Sequence, residues 1–316
     1  MKRPTITDIA REAGVSKGAV SYALNGRPGV SEATRKRITE IARELGWAPS
    51  STARALSGGR AGATGLVLDR SLEAFVPALL DGFEGELLLQ VAAGRDAALA
   101  IYRRWRAERK VDGVLLTDPG CAPELVRIGL PAVVLGGPGG VPGVPSVLVD
   151  DVSGALEALE YLAALGHRRV VRIAGAATFA DPAARERAFT TATTGLPHPG
   201  TVHPEPSADA IRRVLAAHPR PTALLCDTDD LAVAALAAAR ELGLSVPRDL
   251  SVVSWDDTPL CRLVRPALTA IRRPLAELGA LAAAVLQDVL AGDRAGDVCA
   301  SRPRLLTRGS TGPANA

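Results

Sequence analysis

The chain has 316 residues, 47% apolar and 22% charged, with a formal net charge of +3. That length accommodates one large domain and one small one, and the composition is that of an ordinary globular protein rather than a disordered or fibrous chain. No run of eighteen or more apolar residues is present to span a bilayer. The amino terminus, M-K-R-P-T-I-T-D-I-A, lacks the apolar core of a secretory signal, so a cytoplasmic location and no membrane partner are expected. Cys121, Cys226, Cys261 and Cys299 are far apart, with no C-x-x-C pair and no histidines at zinc spacing. Reduced, mostly buried thiols are expected, without disulfide or structural zinc.

Charge is unevenly distributed. Residues 1–60 hold eleven Lys/Arg and five Asp/Glu, a surplus of +6, which leaves −3 for the rest. A small basic module on a mildly acidic body points to a polyanionic partner at one end. Three short helices are predicted in that module. Thr5 and Asp8 have capping-box spacing, Ile6, Ile9, Ala10 and Ala13 recur at helical intervals, and Gly14 closes the helix because it tolerates positive φ. Val15 follows as an apolar plug. Ser16 then caps a second helix over Lys17–Leu24, with Val20 and Leu24 on its inner side. After an Asn25–Gly29 loop, Ser31 caps a third helix whose stripe is Ile38, Ile41, Ala42 and Leu45.

Helix, tight glycine turn, helix and supporting helix form the plan of a helix-turn-helix DNA reader. Its second helix enters the major groove, so Lys17, Gly18 and Ala19 face bases and Tyr22 lies one turn on. Arg35, on the third helix, is expected on the phosphate side. Pro49 ends the module. Ser50 can cap a further short helix ending at Leu56, too short to fold without a partner. An exposed leucine there suits a wedge between base pairs in the minor groove.

The strings T-I-T-D-I-A-R-E-A-G-V-S-K-G-A-V-S-Y-A-L-N-G at 5–26 and P-S-S-T-A-R-A-L at 49–56 resemble the headpiece and hinge of the LacI/GalR family of repressors. The resemblance implies a homodimer on near-palindromic double-stranded operator DNA. It places Lys17, Gly18 and Tyr22 at base-reading positions, and Thr5, Ser16, Ser21 and Asn25 at phosphate or loop-anchoring ones. Leu56 matches the intercalating hinge leucine, flanked by Ala53 and Arg54. Gly18 departs from a side-chain reader: it can only permit close approach.

From residue 62 onward apolar runs alternate with amphipathic ones. Strands are predicted at Gly65–Asp69, Leu87–Val91, Gly113–Thr117, Ala132–Leu135, Ser146–Val149, Val170–Ala174, Ala223–Cys226 and Ser251–Trp255. Helices are predicted at Asp96–Lys110, Val152–Leu165, Ser207–Ala217, Asp230–Leu242 and Pro274–Ala291. This alternation means parallel sheets covered on both faces, with ligands at the carboxyl ends of the strands. The length fits two similar lobes around a cleft better than one open sheet. The expected organisation is a headpiece over 1–47, a hinge helix and linker over 48–60, and an α/β sensing and dimerisation domain over 61–316.

The strings V-D-G-V-L-L-T at 111–117, D-D-V-S-G-A at 150–155 and V-P-R-D-L-S-V-V-S-W-D-D at 246–257 resemble that family's periplasmic-binding-protein-like sensor domain. By the resemblance Arg185, with Phe189 four residues on, clamps an effector, a task suited to a guanidinium fork. Asp256 accepts effector hydroxyls, Asp229 stands where the family usually has Asn, and Phe75 packs on a sugar ring. The implied effector is sugar-like. Two segments are shorter than is usual in the family: Arg70–Glu86, and the stretch after Phe189 where T-T-A-T-T-G replaces a longer helix. A ligand-independent repressor with a degenerate cleft therefore remains an alternative.

Enzymatic chemistry has little support. The glycine-rich run at 136–140 fits neither phosphate-loop pattern. The pairs Asp150-Asp151, Asp229-Asp230 and Asp256-Asp257 read as strand-to-helix turns with caps rather than convergent acids. His198 and His203 lack triad partners, and no G-x-S-x-G elbow occurs. No cofactor and no metal are expected. A helix-turn-helix fused to an α/β enzyme is the weaker rival.

Overall fold

A computed structural model describes residues 4–24, 26–47, 60–68, 75–137, 139–175, 182–194, 200–202 and 208–315. The chain divides into two compact units, Met1–Ala61 and Gly62–Ala316.

The first unit contains α1 (Ile6–Ala13), α2 (Lys17–Leu24) and α3 (Glu32–Glu44). The Asp8 carboxylate reaches back to accept from the Thr5 N–H at 2.9 Å and the Thr5 hydroxyl at 2.7 Å. Gly14 stops α1 at φ 64°. Ser16 Oγ accepts from Ala19 N at 3.1 Å and Ser31 Oγ from Thr34 N at 3.2 Å, so each cap satisfies an otherwise orphaned amide. Ile9, Val20 and Ile38 are fully buried, one from each helix, with Ala10, Ala13, Ala23 and Ala42 letting the helices approach. Leu45 departs from the predicted stripe: it is the C-cap of α3 and 38% exposed. Arg35 also departs from its expected place. Its guanidinium donates to the carbonyls of Tyr22 (3.3 Å), Ala23 (2.7 Å) and Arg27 (2.8 Å), so it staples the end of α2 to α3 instead of standing clear for phosphate. The predicted hinge helix at 50–56 lies outside the described residues.

The second unit begins with β1 (Ala63–Leu68), α4 (Val76–Leu80), β2 (Glu86–Val91), α5 (Arg95–Glu108), β3 (Gly113–Leu116), α6 (Ala122–Ile128), β4 (Ala132–Leu135) and β5 (Ser146–Leu148). It continues with α7 (Asp151–Ala164), β6 (Val170–Ile173), α8 (Pro182–Ala192), β7 (Gly200–Val202), α9 (Ala208–Ala216), β8 (Ala223–Cys226), α10 (Asp229–Glu241), β9 (Ser251–Trp255), α11 (Pro259–Leu263) and β10 (Thr269–Arg272). It ends with α12 (Leu275–Ala291), β11 (Val298–Cys299) and β12 (Arg304–Leu306).

The strands form two six-stranded sheets, ordered β11-β5-β4-β3-β1-β2 and β12-β10-β9-β8-β6-β7. Every pairing is parallel except β10 with β12, which corrects the purely parallel expectation for the second sheet. Each sheet is the floor of one lobe. The chain passes between lobes three times: at 149–150, at 273–274 and at 300–303. In the N-terminal lobe Leu66, Leu115 and Val133 pack under Leu278, Ala282 and Leu286 of α12, while Val114 and Val134 meet Tyr102, Trp105 and Leu125 on the other face. The C-terminal lobe repeats the plan, with α9 and α10 on one face and α7 and α8 on the other. Each fully buried Leu, Ile or Val contributes about 1.5–3 kcal/mol, which is why β3, β4 and β8 are uninterrupted apolar runs.

Two glycines set how α4 meets α12. A Cβ on Gly82 would lie 1.8 Å from the Ala276 carbonyl oxygen, and one on Gly279 would lie 2.1 Å from that of Leu79. The backbones therefore touch, and Phe75, just ahead of α4, is brought to the crossover at 273–274. At the other end of the chain, residues 307–315 are bound into the C-terminal lobe. Ser310 Oγ donates to the Val252 carbonyl at 2.6 Å and accepts from Thr269 N at 2.8 Å.

Candidate functional site

The first unit presents a continuous polar surface at the start of α2. Ser16, Lys17 and Gly18 are exposed, and Tyr22 is 44% exposed one turn later. The Ser16 hydroxyl is engaged as the α2 cap, Thr5 is exposed with its hydroxyl on Asp8, and Ser21 is half-buried. Thus Lys17, Gly18 and Tyr22 share the open side of the helix, opposite buried Val20 and Ala23. Asn25, Ala53, Arg54 and Leu56 lie outside the described residues.

In the second unit the carboxyl ends of the strands gather a buried set of charges. Arg185, on α8, is 1% exposed. Its guanidinium lies 4.1 Å over the Trp255 ring, its Nε is 3.5 Å from Asp151 Oδ2, and its Nη1 donates to the Asp227 carbonyl at 3.3 Å. Asp151 opens α7 and is 3% exposed. Both Asp151 oxygens, Nε and Nη2 of Arg185, and Nε1 of Trp255 are buried without a hydrogen-bond partner among the described residues. Such groups cost free energy unless something supplies their missing bonds. Burial pushes the Asp151 carboxyl upward against the pull of Arg185 and Arg273, and burial likewise pulls the Arg185 guanidinium downward despite Asp151.

Beneath Arg185 runs a supporting pair. Arg172 of β6, 3% exposed, binds Asp227 through two hydrogen bonds of 2.8 and 2.6 Å, and also binds Glu186. Asp227 is 1% exposed, so the chain offers its carbonyl to Arg185 from a fixed position.

Asp256 follows β9 in a left-handed conformation, φ 73°. Its Oδ1 accepts from Arg273 Nε at 2.5 Å, and its carbonyl accepts from Ser254 Oγ and Cys261 Sγ. Phe75 is 5% exposed and lies under the Arg273 guanidinium, 5.5 Å from ring centre to charge. Phe75, Asp256 and Arg273 line an inter-lobe cleft of about 620 Å³. Asp229 is placed differently. Its carboxylate accepts from the Thr258 hydroxyl and from Asp230 N at 2.9 Å, which ties the start of α10 to the loop after β9.

The acidic pairs need correction. Asp150 does cap α7, accepting from Ser153 N at 3.0 Å, but Asp151 is turned into the cluster. The cap of α10 is Thr228, not an aspartate. Asp256 and Asp257 diverge as expected, yet each serves an ion pair, Asp257 with Arg272 and Arg308. Asp151, Trp255, Arg273 and the Arg172–Asp227 pair went unrecognised in the sequence. The available signal was a charged pair at two of the three crossovers, D-D at 150–151 and R-R at 272–273.

The profile of bacterial regulatory proteins of the lacI family matches residues 5–50, and that of a periplasmic binding protein-like domain matches residues 159–311. The HTH-type transcriptional regulator reg1 of Streptomyces lividans is 30% identical over 98% of this chain and 97% of its own length. The chain belongs to the LacI family. Its structure resembles that of the lac repressor dimer bound to operator and the anti-inducer ONPF, with a TM-score of 0.84, 25% identity, 98% of this chain and 100% of that one covered. It also resembles the transcriptional regulator CelR in complex with cellobiose, TM-score 0.68 and 27% identity, again over 98% and 100%. As a LacI-family protein the chain is a DNA-binding transcriptional regulator, with a helix-turn-helix domain followed by a two-lobed sensor domain.

Proposed function

We propose that this regulator binds a near-palindromic operator as a homodimer, and that a small polyhydroxylated effector of the sugar class sets its affinity for DNA. Lys17, Gly18 and Tyr22 read bases in the major groove, while Thr5, Ser16, Ser21 and Asn25 anchor phosphates or the loop. Leu56, with Ala53 and Arg54 beside it, opens a base step in the minor groove. Arg185, Asp151 and Trp255 form the polar floor of the effector site, Phe75 and Asp256 its side, and Asp229 braces the loop that carries Asp256. The single observation that carries the effector assignment is the set of buried donors and acceptors left without bonds. A ring of hydroxyls, each both donor and acceptor, can serve Asp151, Arg185 and Trp255 together.

The effector bridges two lobes that pivot on three crossovers, so its binding free energy depends on the lobe angle. By linkage, operator affinity depends on it too. The protein acts by this coupling and not by catalysis, in the cytoplasm where its DNA lies. Selection of bound sequences from a random duplex pool tests the proposal: a two-fold-symmetric consensus is expected. Enrichment of single, asymmetric sites would overturn the dimeric reading. A thermal shift of the full chain with cellobiose, ribose and other sugars tests the effector class, since a ligand of the native state stabilises it.

A further inference from the structure

Arg273 stands on the crossover that returns the chain from the C-terminal lobe to α12. It is 4% exposed. On one side it donates to Asp256 of the C-terminal lobe at 2.5 Å; on the other its guanidinium faces Phe75, part of the N-terminal core. One side chain therefore touches both lobes where it lines the cleft. Burial pulls the Arg273 guanidinium down, and Asp256 and Asp151 together more than offset it, so the charge is held firmly. Asp256 in turn sits in a backbone conformation that side chains with a Cβ rarely adopt, and Arg273 is the cation that fixes its carboxylate there.

We infer that Arg273 is a built-in occupant of the effector cleft, which takes the Asp256 acceptor that an effector hydroxyl would use and pins the two lobes together before any effector arrives. The inference rests on reading this cleft as the effector site. It makes Arg273 a competitor of the effector at Oδ1 of Asp256: a hydroxyl takes the position of that N–H only after the guanidinium has moved aside. Arg185 and Asp151, though buried, keep polar atoms that are not spent on each other in good hydrogen-bond geometry. The effector then acts by replacing one inter-lobe link with another, and the unliganded regulator has a defined lobe angle.

The test is the inter-lobe distance in the full chain with no DNA and no sugar present. Spin labels go on cysteines replacing exposed Arg104 of α5 and Arg240 of α10, in a background where exposed Cys299 is changed to serine. Pulsed dipolar spectroscopy then compares the parent with R273Q, R273A and F75L. A narrow distribution is expected for the parent, and a longer, broader one for all three variants. Identical distributions in parent and variants overturn the pin. If R273A does not fold, R273Q, which keeps the stem and an amide donor, and F75L, which removes the ring under the guanidinium but keeps an apolar side chain in the core, still decide the matter. The operator selection and the sugar-induced thermal shift use neither the labels nor the variants. Failure of the pin is thus separable from failure of the effector-site reading.

Discussion

Arg172 lies on β6 with almost no access to solvent, a position where an unpaired guanidinium is strongly disfavoured. Its two bonds to Asp227 make the charge tolerable, and the pair also fixes the carbonyl that Arg185 leans on. Breaking a buried pair from one side leaves an uncompensated charge. Arg172→Met is accordingly expected to destabilise the fold by about 3–5 kcal/mol, and Asp227→Leu by a similar amount. The double variant Arg172→Met/Asp227→Leu should recover much of the loss, because no buried charge remains. Urea denaturation in a double-mutant cycle measures this; additive losses would contradict a direct pairing. Such pairs were invisible in the sequence for a simple reason. Arg172 sits in V-V-R-I and Asp227 fifty-five positions later in L-L-C-D-T, and only the pairing of β6 with β8 brings them together. Asp256 could be singled out because it ends a family string, and Arg185 because Phe189 follows four residues on; their effector roles are part of the proposal. Asp151 was legible only as half of a capping pair: a residue's place in a turn is local, whereas the direction its carboxylate takes depends on the lobe across from it.

At the scale of elements, long uninterrupted runs announced themselves. Ala132–Leu135, Ala223–Cys226 and Ser251–Trp255 match the predicted strands in full, and α1 and α2 follow from their caps and apolar spacing. The short pieces did not. β11 has two residues, β12 begins on an exposed arginine, and α4 and α11 have one turn and a half each; their order comes from what they pack against, not from local preference. The C-terminal segment is the clearest case. It forms no regular element of its own, and it is held by His167, at the turn between α7 and β6. That imidazole lies 3.0 Å from the hydroxyls of Thr222 and Ser251 and 3.1 Å from the Gly312 carbonyl. Burial lowers the His167 pKa below its ordinary 6.5, with the Gly312 carbonyl opposing. The native state therefore resists protonation more than the unfolded chain does. Above the ordinary value both states are neutral and the contribution is complete; as pH falls from there through the lowered native value, the unfolded state binds the proton first and stability is lost. Urea midpoints from about pH 8 to pH 5 should show that decline in the parent and a flatter profile in His167→Gln. Equal slopes would remove His167 as the cause.

For the molecule as a whole, the division of labour is written in its charge. The first sixty residues carry +6 and the remainder −3, and the cations exposed on the three-helix unit include Lys17, Arg27, Lys36 and Arg37. Arg35 does not belong among them, since its guanidinium is committed to three carbonyls of its own unit. Two such headpieces on one operator release counterions from the phosphates they neutralise, and the acidic body adds nothing to that term. With about 6–10 phosphate contacts per dimer, affinity should fall roughly 10³–10⁵-fold between 50 and 200 mM salt. Lys36→Gln and Arg37→Gln, exposed on α3 rather than on the base-reading helix α2, should lower the slope of log affinity against log salt while leaving the selected consensus unchanged. Arg35→Ala should behave in the opposite way. It loosens the α2–α3 junction, so it weakens binding at every salt concentration with the slope preserved. Fluorescence anisotropy of labelled operator across that salt range separates the two patterns. A reduced slope in Arg35→Ala with an unchanged headpiece melting temperature would return that arginine to the phosphate-contacting set.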